Sequence, residues 1–120
     1  MKGKRILVLL AVLLLVSVIS AKAEEKFGVK VYDGAKYDAA ISKNVSETIS
    51  INAACYRTND SVAKVTEFYK KQPGMKYMGG EKVSSGFSNG HVNVTIQNPW
   101  MNMINGKMMT DTLITIVKQE

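Results

Sequence analysis

Cysteine, histidine and tryptophan occur once each in 120 residues, and proline only twice. One cysteine forms no intrachain disulfide, so burial has to hold the fold without a covalent framework. Cys55 shares the parity of Ile49 and Ile51, which reads as a buried small hydrophobe. The one histidine, His91, has no acid or nucleophile in its sequence neighbourhood to complete a relay. Other catalytic signatures are missing too. Gly79-Gly80 lacks the downstream lysine and helix of a phosphate-cradling loop, and Ser84-Ser85 lacks a Gly-x-Ser-x-Gly elbow. Asp33 and Asp38 lie in or beside a glycine-containing turn, where carboxylates commonly stabilise the turn itself. No repeat, linker or low-complexity tract interrupts the chain. The expectation is a protein without enzymatic activity and without an obligatory cofactor.

A charge excess is also largely absent once residues 1–23 are set aside. Lys2, Lys4 and Arg5 precede an unbroken apolar run over 6–16, and Ala21-Lys22-Ala23 forms a small-x-small cleavage site, the layout of a signal peptide. That run falls short of the ~20 apolar residues a membrane span requires. Of 16 Lys+Arg, four leave with the leader, so 12 face 10 Asp+Glu and the net charge falls from +6 to +2. The basic character belongs mainly to the leader, and Lys70-Lys71 is the one basic cluster left. A nucleic-acid partner is not expected, because few cations remain to displace phosphate counterions. Residues 24–120 are expected to form a single exported domain, periplasmic or secreted, with no stable membrane insertion after leader removal. At that size roughly two-thirds of the unfolded surface is buried, enough for a modest core.

What is present is periodicity. Over 48–56 the residues alternate, with Ile49, Ile51, Ala53 and Cys55 on one face, as in a half-buried strand. From Asn59 the apolar residues Val62, Val65, Phe68 and Tyr69 recur three or four apart, which predicts an amphipathic helix. Residues 58–61 supply side-chain oxygens for its free amides, and Pro73-Gly74 stops it. Phe27, Val29 and Val31 predict a first strand, with an edge open to strand addition, ending at Tyr32-Asp33-Gly34-Ala35. Residues 37–47 read as loop. Met75 to Met78 form a short extended segment ended by Gly79-Gly80.

Asn89-Gly90 favours a two-residue hairpin turn with positive φ at both positions. That turn pairs Phe87 with Val92, Ser85 with Val94 and Val83 with Ile96 on the core face, and leaves His91 on the polar face. Asn98-Pro99 ends the ladder. Residues 112–117 carry apolar side chains of both parities, Leu113 and Val117 against Ile114 and Ile116, which marks a central strand covered on both sides. The expected fold is α+β: an antiparallel sheet of about five strands with one amphipathic helix packed on one face.

Asp60-Ser61-x-x-x-Val65-x-x-Phe68-Tyr69, with Tyr32-Asp33-Gly34-Ala35 before it and Asp111-Thr112-Leu113-Ile114-Thr115-Ile116 after it, resembles a group of small, uncharacterised exported bacterial proteins. Members of that group typically carry Tyr-Pro-Gly-Ala at the first turn, where this chain has Asp33. The resemblance implies a one-helix α+β domain in the cell envelope and no particular activity.

Residues 100–109 are the compositional oddity, with Trp100, Met101, Met103, Met108 and Met109 around a second Asn-Gly pair. Methionine and tryptophan offer adaptable apolar contact. The loop over 98–109, with the adjacent His91 edge, is therefore the expected working surface of a small binding module for an envelope protein or small ligand. An alternative uses the same residues as ligands. An imidazole with two thioethers suits Cu(I) or Ag(I), and an aromatic face can cap such an ion. His91, Met101 and Met103 as ligands with Trp100 as cap is similar to the site of periplasmic copper-efflux metallochaperones, a likeness confined to these four residues. That carrier needs His91 and both thioethers within about 5 Å of one another, since metal–ligand bonds are ~2 Å or slightly longer.

Overall fold

The computed structural model describes residues 24–119, and the expected leader over 1–23 lies outside the described residues. In chain order these residues form β1 (Glu25–Lys26), β2 (Val29–Lys30), β3 (Lys36–Tyr37), α1 (Ala39–Ile49), β4 (Ala53–Thr58), α2 (Val62–Lys70), β5 (Lys76–Glu81), β6 (Ser84–Ser88), β7 (Val92–Gln97), β8 (Trp100–Asn102), β9 (Lys107–Met109) and β10 (Thr112–Lys118). Six strands make one antiparallel sheet in the order β3-β4-β10-β7-β6-β5, while β1-β2 and β8-β9 are separate hairpins. The class is α+β as expected, but with two helices and a larger sheet.

The helix read from the 3.6-residue period is α2. Ser61 caps it by accepting a hydrogen bond from the Lys64 amide, and Val62, Val65, Thr66 and Tyr69 are its buried face. That face packs with Tyr56, Phe87, Val94, Ile96, Ile114 and Ile116 of the sheet. Central placement of β10 explains its two apolar parities, with Ile114 and Ile116 turned toward α2 and Leu113 toward the opposite layer. A buried polar pair in the α2 layer, Thr66 Oγ1 and Ser85 Oγ, is mutually hydrogen-bonded at 2.7 Å. Among the described residues no buried side-chain nitrogen or oxygen lacks a partner.

The second helix, α1, occupies residues expected to be loop and the start of a strand. Asp38 caps it through Oδ1, which accepts from the Ile41 amide at 3.0 Å, and Ser50 ends it at φ 57°. Ile49 belongs to its last turn, so the strand expected over 48–56 is β4 at 53–58. It is covered on both faces rather than half-buried, since Ala53, Ala54, Cys55 and Tyr56 are all buried. The reason lies in the backbone. β3 pairs only with Tyr56 and Arg57 of β4, which leaves the preceding residues without a strand neighbour on that edge. Residues of α1 and its cap fill the gap: the Asp38 amide donates to Cys55 O at 2.9 Å, Ser42 Oγ accepts from the Cys55 amide at 2.7 Å, and Ser46 Oγ bonds both backbone groups of Ala53 at 2.9 and 3.0 Å. A helix thus completes a β edge.

Three further expectations are corrected. Residues 27–31 are not one strand. Phe27 (φ 55°) and Gly28 (φ 82°) form a tight turn between β1 and β2, pairing Lys26 with Val29, as a two-residue turn with both central φ positive does. The strand at 75–78 continues through the glycine pair to Glu81, with a bulge between Tyr77 and Gly79. Gly80 is sterically required there, because a Cβ would lie 2.3 Å from Ser84 O. The β6–β7 turn is Gly90-His91 instead of Asn89-Gly90: the Asn89 amide donates to Val92 O, and Ser88 pairs with Asn93, Phe87 with Val94 and Ser85 with Ile96. Moving the turn by one residue slides the pairing by two, so the core face is preserved while each partner changes. Val83 leaves the expected pairing with Ile96 and is exposed in the preceding turn.

Candidate functional site

The β8–β9 hairpin sits on the layer opposite α2 and is fixed there by one arginine. Arg57, near the end of β4, donates from Nε to Asp111 Oδ2 at 2.8 Å and from Nη1 to Asp38 Oδ2 at 3.3 Å. Its guanidinium carbon lies 5.1 Å from the centre of the Trp100 ring. The Trp100 indole in turn donates from Nε1 to Asp111 Oδ1 at 3.0 Å. Asp111 therefore holds the cation and the indole with its two oxygens, and Asp38 holds the cation while capping α1. The hydrogen bond to Asp111, reinforced by Asp38, raises the guanidinium above its ordinary value, so the positive charge of this brace is permanent. Trp100 is buried among Ile41, Cys55 and Leu113, with Val45 and Met109 at the margin.

Strand alternation then fixes the hairpin's other face. Trp100 pairs with Met109, Met101 with Met108 and Asn102 with Lys107. Trp100 and Asn102 point inward and are buried, so Met101 and Met108 stand side by side on the outer face. Met103 and Ile104 follow in the turn that closes when the Gly106 amide donates to Asn102 O at 2.8 Å. Met101, Met103, Ile104 and Met108 are 46%, 74%, 55% and 57% exposed. They form an apolar knob on a hairpin whose inner face is seated by Trp100.

The structure does not bring together the four residues singled out from the sequence. His91 is at the exposed tip of the β6–β7 turn, and its carbonyl accepts from the Gln119 amide just past the end of β10. Trp100 is held by Asp111, just before the start of β10. The length of β10, roughly 20 Å, separates them. Trp100 also faces away from Met101, with its ring against Arg57. His91 with Met101 and Met103 under a Trp100 cap is therefore not an arrangement found here. Met101 and Met103 stay on one hairpin, and Met108 joins them. The sequence reading overlooked Met108 as a partner because strand register, not spacing, places it opposite Met101. Cys55 is fully buried, its thiol pushed up by desolvation and 3.7 Å from Thr115 Oγ1.

A polar cleft of about 390 Å³ opens beside the same brace, lined by Asp33, Lys36, Arg57, Asn59, Asp60 and Asp111. Arg57, Asp60 and Asp111 among its charges serve the fold. Asp60 accepts from the Tyr32 hydroxyl at 2.5 Å and lies 3.8 Å from Lys64 Nζ. Burial and the Asp60 carboxylate push Tyr32 up to about 12. Asp38 and Asp111 are both committed to Arg57. Asp33 and Asp38 do not act as a pair: the second caps α1, and the first lines the cleft. On the hairpin, Met101, Met103, Ile104 and Met108 are left exposed outside the packed layers. No protein-family model, curated protein or solved structure matches this chain.

Proposed function

We propose that the protein is a small non-enzymatic binding module of the cell envelope, exported by the leader at 1–23, which engages a partner through the outer face of the β8–β9 hairpin. The supporting observation is the apolar knob of Met101, Met103, Ile104 and Met108 on a hairpin whose inner face is pinned by Trp100, Arg57 and Asp111. Exposed apolar side chains clustered on a rigid element lower the entropy cost of association and mark contact surfaces in soluble domains. Methionine adapts its shape to a partner without a defined rotamer. A catalytic role has little support: the sole histidine stands alone at a turn tip, and the carboxylates near Arg57 brace the structure. The resemblance to small exported bacterial proteins belongs to the same reading.

Site-specific photo-crosslinking in intact cells tests it. A photoreactive residue at Met103 is expected to yield a discrete adduct that one at Glu47, exposed on α1, does not. Ile104→Glu is expected to abolish the adduct. Equal labelling from both positions, or an adduct indifferent to Ile104→Glu, rejects the hairpin as the working surface.

A further inference from the structure

We propose that Met101, Met108 and Met103 form a soft-cation site that takes Cu(I) or Ag(I) through thioether sulfur alone. This goes beyond the partner reading. It uses the same face but depends on sulfur rather than apolar area.

Register carries the argument. Met101 and Met108 are direct cross-strand partners in an antiparallel pair, which places their Cβ atoms about 4.5–5.5 Å apart on one face. Each sulfur lies two bonds beyond its Cβ on a chain with free rotamers, because both residues stand outside the packed layer. With metal–sulfur bonds of about 2.3 Å, two sulfurs sharing one ion sit at most about 4.6 Å apart. Side-chain rotation alone, with no movement of the backbone, can bring the two sulfurs of such a pair to that spacing. Met103 follows Met101 by two residues at the start of the turn and is the most exposed of the three, so its thioether is free to fold over the pair as a third ligand.

The surroundings select the kind of ion. Residues 100–110 contain no aspartate, glutamate, histidine or cysteine, and the neighbouring Asp111 is already bound to Arg57 and Trp100. Hard divalent cations demand oxygen ligands, and zinc takes imidazole, thiolate or carboxylate. Neutral thioethers suit a univalent, polarisable ion of low coordination number. The site is thus defined both by what the register pairs and by which donors the hairpin omits.

The test is an anaerobic titration of the purified protein with Cu(I) against a chromophoric competitor, followed by X-ray absorption of the loaded protein. One Cu(I) per chain in an all-sulfur shell is expected. Met101→Leu/Met108→Leu, which keeps the apolar volume, is expected to weaken binding at least tenfold, Met103→Leu to weaken it less, and His91→Ala to leave it unchanged. Failure to withdraw Cu(I) from the competitor overturns the proposal, as does full affinity in the double leucine variant or a nitrogen ligand lost in His91→Ala. Because the leucine variants retain the knob, crosslinking from Met103 in that background reports on the partner reading separately.

Discussion

The two faces of the central sheet are held by different physics. On the α2 side, Val62, Val65 and Tyr69 meet Phe87, Val94, Ile96, Ile114 and Ile116 in a continuous apolar layer. On the α1 side the apolar cluster shrinks to Ile41, Cys55, Trp100 and Leu113. Directional bonds do the rest, from Ser42 and Ser46 to the β4 edge and from Arg57 to Asp38 and Asp111. Apolar burial resists deformation everywhere, whereas a bonded brace fixes one element in one orientation. The difference separates tasks: the α2 face stabilises the domain, and the α1 face presents a hairpin.

The largest effect is expected where that contrast is sharpest. Phe87 is fully buried, with ring centres of Tyr69 and Tyr77 at 5.9 and 5.3 Å. Phe87→Ala is predicted to cost about 3–5 kcal/mol, the range for truncating a buried phenylalanine, in one cooperative denaturant transition. Arg57→Leu strikes the other face. It leaves two carboxylates without their cation and is predicted to cost about 2 kcal/mol, in line with the loss of charged hydrogen bonds in a partly exposed setting. Its signature is local: thiol-reagent labelling of Cys55, which lies in the same cluster as Trp100, is expected to accelerate more than the shift in global midpoint accounts for. Uniform loss across both faces in Arg57→Leu breaks the comparison.

The same contrast sets what was legible in the sequence. Elements governed by apolar period were readable: α2, the two-sided β10 and the inward parity of β6 and β7. The β6–β7 register was not, because Asn-Gly looks like a turn pair whereas Asn89 closes the turn, its side chain accepting from the His91 and Val92 amides at 2.8 and 2.7 Å. Helix α1 was unreadable for a related reason. Its inward positions include Ser42 and Ser46, chosen to bond a strand edge rather than to fill a core, so no full apolar stripe announces it. The brace left no local trace at all, since Asp38, Arg57, Trp100 and Asp111 are distant in sequence and meet only through sheet order. For the hairpin, composition pointed to residues 98–109, but only register distinguishes the inward Trp100 from the outward Met101 and Met108.

A smaller effect tests the junction of the two faces, where Tyr32 of the α2 layer bonds Asp60 in the cleft. A phenol held up to about 12 in the fold, against about 10 unfolded, keeps its proton longer when folded. Its contribution is complete below pH 10 and is lost as pH climbs through about 12, because only the unfolded chain gains by ionising in that window. Urea midpoints are therefore predicted to fall between pH 10 and 12. Tyr32→Phe is predicted to cost about 1 kcal/mol at neutral pH, the net worth of one hydrogen bond, and to flatten that alkaline fall. Tyr56 and Tyr69, also raised chiefly by burial, keep part of the slope in the variant.

The smallest effect on stability is the one that decides whether the α1 face presents anything. Met103 is 74% exposed in a turn whose closing bonds are made by Asn102 and Gly106. A charge placed there meets water, not the core, so Met103→Glu is predicted to change unfolding free energy by less than about 0.5 kcal/mol. The same substitution sets a carboxylate at the crown of the apolar knob and is predicted to abolish crosslinking from Ile104. A stability loss as large as that of Arg57→Leu shows the knob to be packed rather than presented, and the contrast between the faces then fails. An unchanged melting temperature with the adduct gone shows a surface maintained at no benefit to the fold, which leaves binding as the property that the exposed methionines serve.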